Sequence, residues 1–172
     1  MAWVGIAAMV YVLIASIRSG TDEVSSIPSK RVSIADMEPG EARFESWEGR
    51  PVVIYRRTDT DIVSLRTPDD RLVDPVSKRS DQPELSTNEF RSISADWFVA
   101  IALGTDLGCS IDFMAPSQEL FQTKPWQGGF VDTCRKARYD TAGRVFESQY
   151  ATRNLAVPNF AISEGTLILG RK

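Results

Sequence analysis

The sequence predicts a mainly β protein, with an antiparallel β head behind an N-terminal transmembrane helix. Short apolar runs with alternating or β-branched residues recur through most of the chain, and glycine or proline turns separate them, which is the pattern of an antiparallel sheet. The first segment, residues 2–17, has sixteen residues without a charge. With 172 residues, 42% of them hydrophobic, the chain has enough material for one folded core.

The apolar segment at 2–17 is predicted to form a single-pass membrane anchor over residues 1–20. At ~1.5 Å per residue it covers about 24 Å of a hydrocarbon core that is roughly 30 Å thick, so the span must extend to residue 20, with Arg18 reaching the interface. A cleaved signal peptide and a buried core helix are the alternatives, but no basic region precedes the segment and no small-x-small motif follows it. The polar residues 21–30 are predicted to be a flexible tether.

The remaining residues, 31–172, are predicted to form the head. Residues 58–95 are rich in Asp, Arg, Ser and Pro, which favours a surface excursion with one or two short helices. The segment between residues 109 and 128 is predicted to be a long loop. Strands are predicted near residues 31–36, 42–47, 51–57, 96–103, 139–146, 155–162 and 166–169.

Charge and composition exclude several classes of function. The net charge of -3 and the pI near 5.1 provide no broad basic surface, so nucleic-acid binding is not expected. Histidine is absent, which excludes the usual catalytic triads, the common zinc sites and histidine-ligated haem within this chain. The only two cysteines, Cys109 and Cys134, are too few for a four-thiolate cluster.

Three segments carry a resemblance to a known family: GTDLGC at 104–109, GGFVDTCRKARYDTAGRVF at 128–146 and NLAVPNFAISEGTLILG at 154–170. They resemble the Rieske iron-sulfur subunit of ubiquinol-cytochrome c reductase, whose first loop has the form C-T-H-L-G-C. Its second loop has the form G-G-F-x-C-P-C-H-G-S-H-Y-D-x-x-G-R. The resemblance implies a Rieske-like antiparallel β-sandwich head with a cluster-binding subdomain at about 104–137, carried by a membrane helix and a tether.

The residues at the cluster-ligand positions differ from the family pattern. Each loop of the family supplies one cysteine and one histidine, but here the first loop has Gly104 and Asp106 at these positions. The second loop has Asp132 and Arg135. Glycine has no donor, guanidinium cannot donate a lone pair, and two carboxylates are too few and too hard for a 2Fe-2S core. We therefore expect no 2Fe-2S cluster, no other cofactor and no catalytic residue.

Two further expectations follow from the same alignment of loops. Cys109 and Cys134 match the family's inter-loop disulfide, which would place the head in an oxidising compartment. Two unrelated buried thiols are the alternative. Asp106, Asp132 and Arg135 match positions that converge in the family fold, so Arg135 is expected to pair with either carboxylate or with both. The alternative is that all three side chains point into water.

Trp126 is predicted as a docking residue on the surface of the inter-loop segment, which has an apolar content unusual for a solvated loop. Its substitution by alanine would then weaken assembly without unfolding the head. The alternative is that this aromatic side chain covers the head's own core or fills space left by the cluster.

Retention of the fold with loss of the ligands suggests a non-redox, supernumerary structural subunit of a cytochrome bc complex or of its supercomplex with cytochrome oxidase. The expected partners are cytochrome b-type and other respiratory-complex membrane subunits, without a small-molecule substrate. The expected location is an energy-transducing membrane, the bacterial inner membrane or its organellar equivalent, with the head on the periplasmic or equivalent outer side. One alternative is an independent anchored binding protein or assembly factor that uses the region where the family holds its cluster. The other is an electron carrier with unusual ligands.

Overall fold

The computed structural model describes residues 28–67 and 69–171. The predicted anchor at 1–20 and residues 21–27 of the predicted tether lie outside this range. Among the described residues, no helix has the length and apolar character needed to cross a membrane.

The described residues form eleven strands and two short helices. The helices are α1, Asp59–Leu65, and a 3₁₀ helix at Glu84–Ser86. The strands, in chain order, are β1 Lys30–Ser33, β2 Ala42–Trp47, β3 Arg50–Arg56, β4 Trp97–Ile101, β5 Ile111–Met114, β6 Ser117–Phe121, β7 Lys124–Trp126, β8 Gly129–Asp132, β9 Arg138–Tyr139, β10 Phe160–Ser163 and β11 Thr166–Leu169.

The strands form three small sheets and one separate hairpin, and all of their pairings are antiparallel. The sheet orders are β1-β11-β10, β2-β3-β4 and β5-β8-β9, while β6 and β7 form the hairpin. The prediction of a mainly β, antiparallel head is therefore confirmed. The third sheet positions the functional site, because the loop at 104–109 leads into its strand β5 and the loop at 132–137 connects its strands β8 and β9.

The main core forms around the central strand β3. Val52, Val53 and Ile54 are successive residues whose side chains point to alternate faces of the sheet, and each is fully buried. Both faces of β3 are therefore covered. This explains why the sequence has a continuous apolar run here instead of an apolar-polar alternation.

A local hydrogen-bond network fixes the start of helix α1. The Thr58 hydroxyl accepts from the Asp61 N–H at 3.2 Å, and the Asp61 carboxylate accepts from the Thr58 N–H at 2.9 Å, which is a capping box. The same carboxylate accepts from the Tyr55 hydroxyl at 2.8 Å. Burial and the nearby Asp61 charge raise the pKa of Tyr55. The helix is thereby joined to the end of β3.

The excursion at 58–95 contains the two short helices, as predicted, but buried arginines tie it to the rest of the head. The Arg57 side chain, immediately before this segment, donates to the carbonyl oxygens of Ala95 at 2.9 Å and Phe90 at 2.6 Å. The Arg57 guanidinium also donates to the carbonyl oxygen of Thr141 at 3.1 Å. One buried guanidinium therefore fixes both the end of the excursion and a distant turn.

Two predicted strands are much shorter than expected. In the predicted strand 139–146, the Asp140 carboxylate accepts from the N–H groups of Ala142 at 2.9 Å and Arg144 at 2.8 Å, so the chain turns immediately after Tyr139. In the predicted strand 155–162, the N–H of Leu155 donates to Gly143, and regular pairing starts only at Phe160. In both regions, side-chain or loop partners take the hydrogen bonds that a neighbouring strand would use.

The segment between the site loops was predicted as a long loop but contains three strands. Its middle part folds back as the hairpin β6-β7 around Gln122, which adopts a positive φ of 58°. The hairpin covers a second, smaller core made of Leu72, Trp126 and Phe146. Apart from Leu120, which is exposed, the large apolar side chains of this segment therefore pack within the head.

Candidate functional site

The site lies at the tip of the third sheet, where two loops meet. We define the first loop as residues 104–109, between β4 and β5. The second loop, residues 132–137, runs from the last residue of β8 to the residue before β9. In the first loop the Gly104 N–H donates to the Cys109 carbonyl oxygen at 2.7 Å, and the Gly108 N–H donates to the Gly104 carbonyl oxygen at 3.0 Å. In the second loop the Asp132 N–H donates to Ala137 at 2.8 Å. Each loop is therefore a closed turn with its own backbone hydrogen bonds.

A disulfide joins the two loops. Cys109 and Cys134 are bonded, with 6.1 Å between their Cα atoms. The predicted disulfide is present, and the alternative of two unrelated thiols does not apply. A backbone hydrogen bond of 3.0 Å from Thr133 to Ser110 connects the same two segments beside it.

Asp132 occupies the space next to Gly104, so two of the former ligand positions pack against each other. A Cβ atom on residue 104 would overlap the Asp132 Oδ2 atom and would lie 3.0 Å from its Cγ. The Asp132 side chain is only 2% exposed, and its Oδ1 accepts from the N–H groups of Cys134 at 2.9 Å and Arg135 at 2.8 Å. The absence of a side chain at 104 is thus what makes room for the carboxylate.

Replacing Gly104 by alanine is expected to lower the free energy of unfolding by about 1–3 kcal/mol, because the added methyl group overlaps a carboxylate that two N–H groups hold in place. Chemical denaturation of the full chain in detergent measures this change. In an Asp132→Ala background most of the cost should disappear, since the overlapping oxygen is gone. Equal costs in the two backgrounds would show that the clash is not between these side chains.

Arg135 lies beside Asp106 at the surface of the tip. The Arg135 Nε atom is 3.3 Å from the Asp106 Oδ2 atom, and the two side chains are 41% and 25% exposed. The guanidinium also stands 4.2 Å from the ring centroid of Tyr150. Asp132 takes no part in this ion pair, because its carboxylate accepts from backbone N–H groups instead.

Removing the ion pair is expected to have little effect on stability. Exposed pairs contribute about 0–1 kcal/mol because water screens the charges. A double-mutant cycle with Asp106→Asn and Arg135→Ala should give a coupling in that range when unfolding is followed by circular dichroism. A coupling above about 2 kcal/mol would mean that the pair is shielded from solvent, as in buried pairs.

Tyr139 supports the first loop from below, a role that the sequence did not reveal. Its hydroxyl oxygen accepts from the Thr105 N–H at 3.0 Å, and the Thr105 hydroxyl donates to the Arg153 carbonyl at 2.7 Å. Burial raises the pKa of Tyr139, so its hydroxyl stays neutral. These hydrogen bonds hold the first loop against strand β9.

The donor set of the tip does not fit a 2Fe-2S cluster. Gly104 offers no ligand atom, and the space beside it is filled by the Asp132 carboxylate. Both cysteines are already bonded to each other, and the Arg135 guanidinium has no lone pair. Two carboxylates remain where the family pattern has thiolates and imidazoles.

Trp126 does not lie on the surface, so its prediction as a docking residue is wrong. The side chain is 2% exposed, and its indole N–H donates to the Met114 carbonyl at 3.3 Å. Phe121 and Phe146 pack edge-on at 5.5 and 5.9 Å between ring centroids, and the Arg138 guanidinium lies 4.9 Å from the indole. The alternative, that Trp126 covers the head's own core, is what the structure shows.

Comparison with known proteins identifies the family. No family model matches the chain. The ubiquinol-cytochrome c reductase iron-sulfur subunit of Allochromatium vinosum is 35% identical over 136 residues, which cover 79% of this chain and 66% of that protein. The protein of the same name from Rhodospirillum rubrum is 31% identical over 166 residues, which cover 96% of this chain and 82% of that protein. A chain of a structure titled "Hyperthermophilic respiratory Complex III" is 18% identical over 96% of this chain and 95% of its own length, with a TM-score of 0.47, too low to establish a fold. On the strength of the two sequence matches, the chain belongs to the family of ubiquinol-cytochrome c reductase iron-sulfur (Rieske) subunits.

Proposed function

We propose that this protein is a cluster-free, non-redox Rieske-family subunit with a structural role in a cytochrome bc complex or in its supercomplex with cytochrome oxidase. The observation that carries the proposal is the packing of Asp132 against Gly104. The residue at a ligand position of the family pattern is a buried aspartate, and one of its carboxylate oxygens accepts from two N–H groups of its own loop. This packing supports a tip that folds without a cluster.

The chemistry of the family's reaction supports the same proposal. Quinol oxidation in the resembled family requires a cluster to take an electron and a ligand histidine to accept a proton. This chain contains no histidine, and its two cysteines form a disulfide. We therefore assign no catalytic residue.

A structural role requires contact surfaces and a membrane location, and the chain retains features suited to both. Residues 2–17 are uncharged and, as the anchor predicted from the sequence, would pack beside a cytochrome b-type subunit. The disulfide suits a head on the periplasmic or equivalent outer side of an energy-transducing membrane. At the tip, Leu107 and Tyr150 are 59% and 70% exposed, which offers apolar contact area on the protein surface.

Isolation of the tagged chain from its native membrane tests the proposal. After mild detergent extraction, we expect haem b to co-purify, as measured by reduced-minus-oxidised spectra. After separation from its partners, the chain should contain neither iron nor acid-labile sulfide and should lack a Rieske-type electron paramagnetic resonance signal. A genuine Rieske subunit treated in the same way serves as the positive control.

Two results would count against the proposal in different ways. Iron with bridging sulfide on the separated chain would contradict the cluster-free state and favour an electron carrier with unusual ligands. A chain that is recovered without any haem protein would contradict the structural role in a respiratory complex. That result would favour an independent anchored binding protein or assembly factor.

A further inference from the structure

The disulfide lies next to a third potential metal ligand. The sulfur atoms of Cys109 and Cys134 and a carboxylate oxygen of Asp132 all lie within 4.8 Å of one another. Cys134 is exposed and Cys109 is half-buried, so the bond is open to a reductant in solution. Asp132 is buried, and its second oxygen makes none of the hydrogen bonds found within the described residues.

We propose that reduction of this disulfide converts the tip into a binding site for a thiophilic divalent cation such as Zn²⁺, with the two thiolates and the Asp132 carboxylate as ligands. Zinc binds thiolate sulfur at about 2.3 Å and carboxylate oxygen at about 2.0–2.2 Å, so the ligands of one tetrahedral ion stand about 3.5–4 Å apart. In the oxidised protein the two Sγ atoms are covalently bonded, and the Asp132 carboxylate oxygen lies within 4.8 Å of both. After cleavage of the bond the two sulfur atoms must therefore separate to reach this spacing, while the carboxylate is already near them. Water would complete the fourth position.

The loops are held in place by contacts other than the disulfide. The N–H groups of Cys134 and Arg135 orient the Asp132 carboxylate. The Thr133 N–H of the second loop donates a hydrogen bond to the carbonyl oxygen of Ser110, which follows the first loop. The Thr105 N–H donates a hydrogen bond to the Tyr139 hydroxyl. Cleavage of the S–S bond therefore frees two thiols without removing the framework that keeps them together.

The chemistry balances with an external dithiol as the reductant. The dithiol supplies two electrons and two protons, becomes a disulfide, and leaves Cys109 and Cys134 as thiols. Binding of Zn²⁺ then releases both thiol protons to solvent. The donor set of two sulfurs and one oxygen selects a thiophilic ion over Mg²⁺ or Ca²⁺, which prefer oxygen ligands only.

Metal uptake by the purified full chain in detergent tests this proposal, whatever complex hosts the protein. The oxidised chain should retain no Zn²⁺ on gel filtration. A phosphine, which becomes its oxide with oxygen from water, leaves the same two thiols and replaces the dithiol as reductant here. After this reduction the chain should retain one Zn²⁺, and Co²⁺ in its place should give sulfur-to-cobalt charge-transfer absorption. Asp132→Asn removes a direct ligand and should weaken binding by at least about 100-fold, because loss of a group that merely supports a ligand already costs about 10–100-fold. Asp112→Asn, at an exposed position on β5, is the matched control and should bind as the unchanged chain does.

A double variant with serine at Cys109 and Cys134 separates folding from binding. Its circular dichroism reports whether the head folds without the disulfide, and it should bind no Zn²⁺ in either redox state. Binding by the oxidised chain, no binding after reduction, or unchanged binding by Asp132→Asn would each overturn the proposal. Unfolding of the reduced chain in the presence of Zn²⁺ would overturn it as well. Iron and sulfide on the oxidised chain would instead contradict the proposed cluster-free function, so the two failures are distinguishable.

Discussion

Replacing Arg91 by alanine is expected to lower the free energy of unfolding by about 3–5 kcal/mol. The side chain is fully buried, and its guanidinium donates to the carbonyl oxygens of Ala142 at 3.0 Å, Gly143 at 3.3 Å and Leu155 at 2.7 Å. A fourth bond of 2.8 Å goes to the Gln82 side chain. Alanine would leave a cavity and several buried acceptors without a donor.

The charge on Arg91 is part of this stabilisation. Burial lowers the pKa of Arg91 to about 10, so the guanidinium remains protonated at neutral pH and donates to all of its partners. Denaturant unfolding of the full chain in detergent measures the effect. Arg31→Ala, at an exposed position of β1, is the matched control and should change stability by less than about 0.5 kcal/mol. A loss below about 1 kcal/mol for Arg91→Ala would show that water readily replaces the guanidinium.

Replacing Trp126 by alanine is expected to cost about 3–5 kcal/mol of folding stability. The indole is the largest side chain of the second core, where it contacts Phe121 and Phe146. The Arg138 guanidinium, 4.9 Å from its ring, would lose a cation–π partner. The melting temperature of the full chain should therefore fall, and recovery with partner proteins should fall only as a consequence.

Leu120 provides the control for this experiment, since it lies on the same hairpin but is 65% exposed. Leu120→Ala should leave the melting temperature nearly unchanged. If Trp126→Ala retained the stability of the unchanged chain, the indole would not be needed to stabilise the second core.

Much of the fold could be predicted because its strands carry local signals. The run from Val52 to Tyr55 predicted β3 correctly, and the Ser163 to Gly165 turn correctly separated β10 from β11. The predicted strand at 139–146 failed because the Asp140 side chain bends the chain after Tyr139. Apolar and β-branched residues occur in strands and also in turns that a side chain stabilises, so their pattern does not distinguish the two.

The sequence alone determined which atoms the tip can offer to a metal, because ligand chemistry is a property of residue type. It also supplied the two cysteines that pair, through their positions in the family pattern. The sequence predicted that Arg135 pairs with a carboxylate, but only the tertiary structure decided that the partner is Asp106 and not Asp132. It alone also decided that Asp132 fills the space at Gly104 and that Trp126 is buried. These outcomes depend on distances between residues that are remote in sequence, and packing sets those distances.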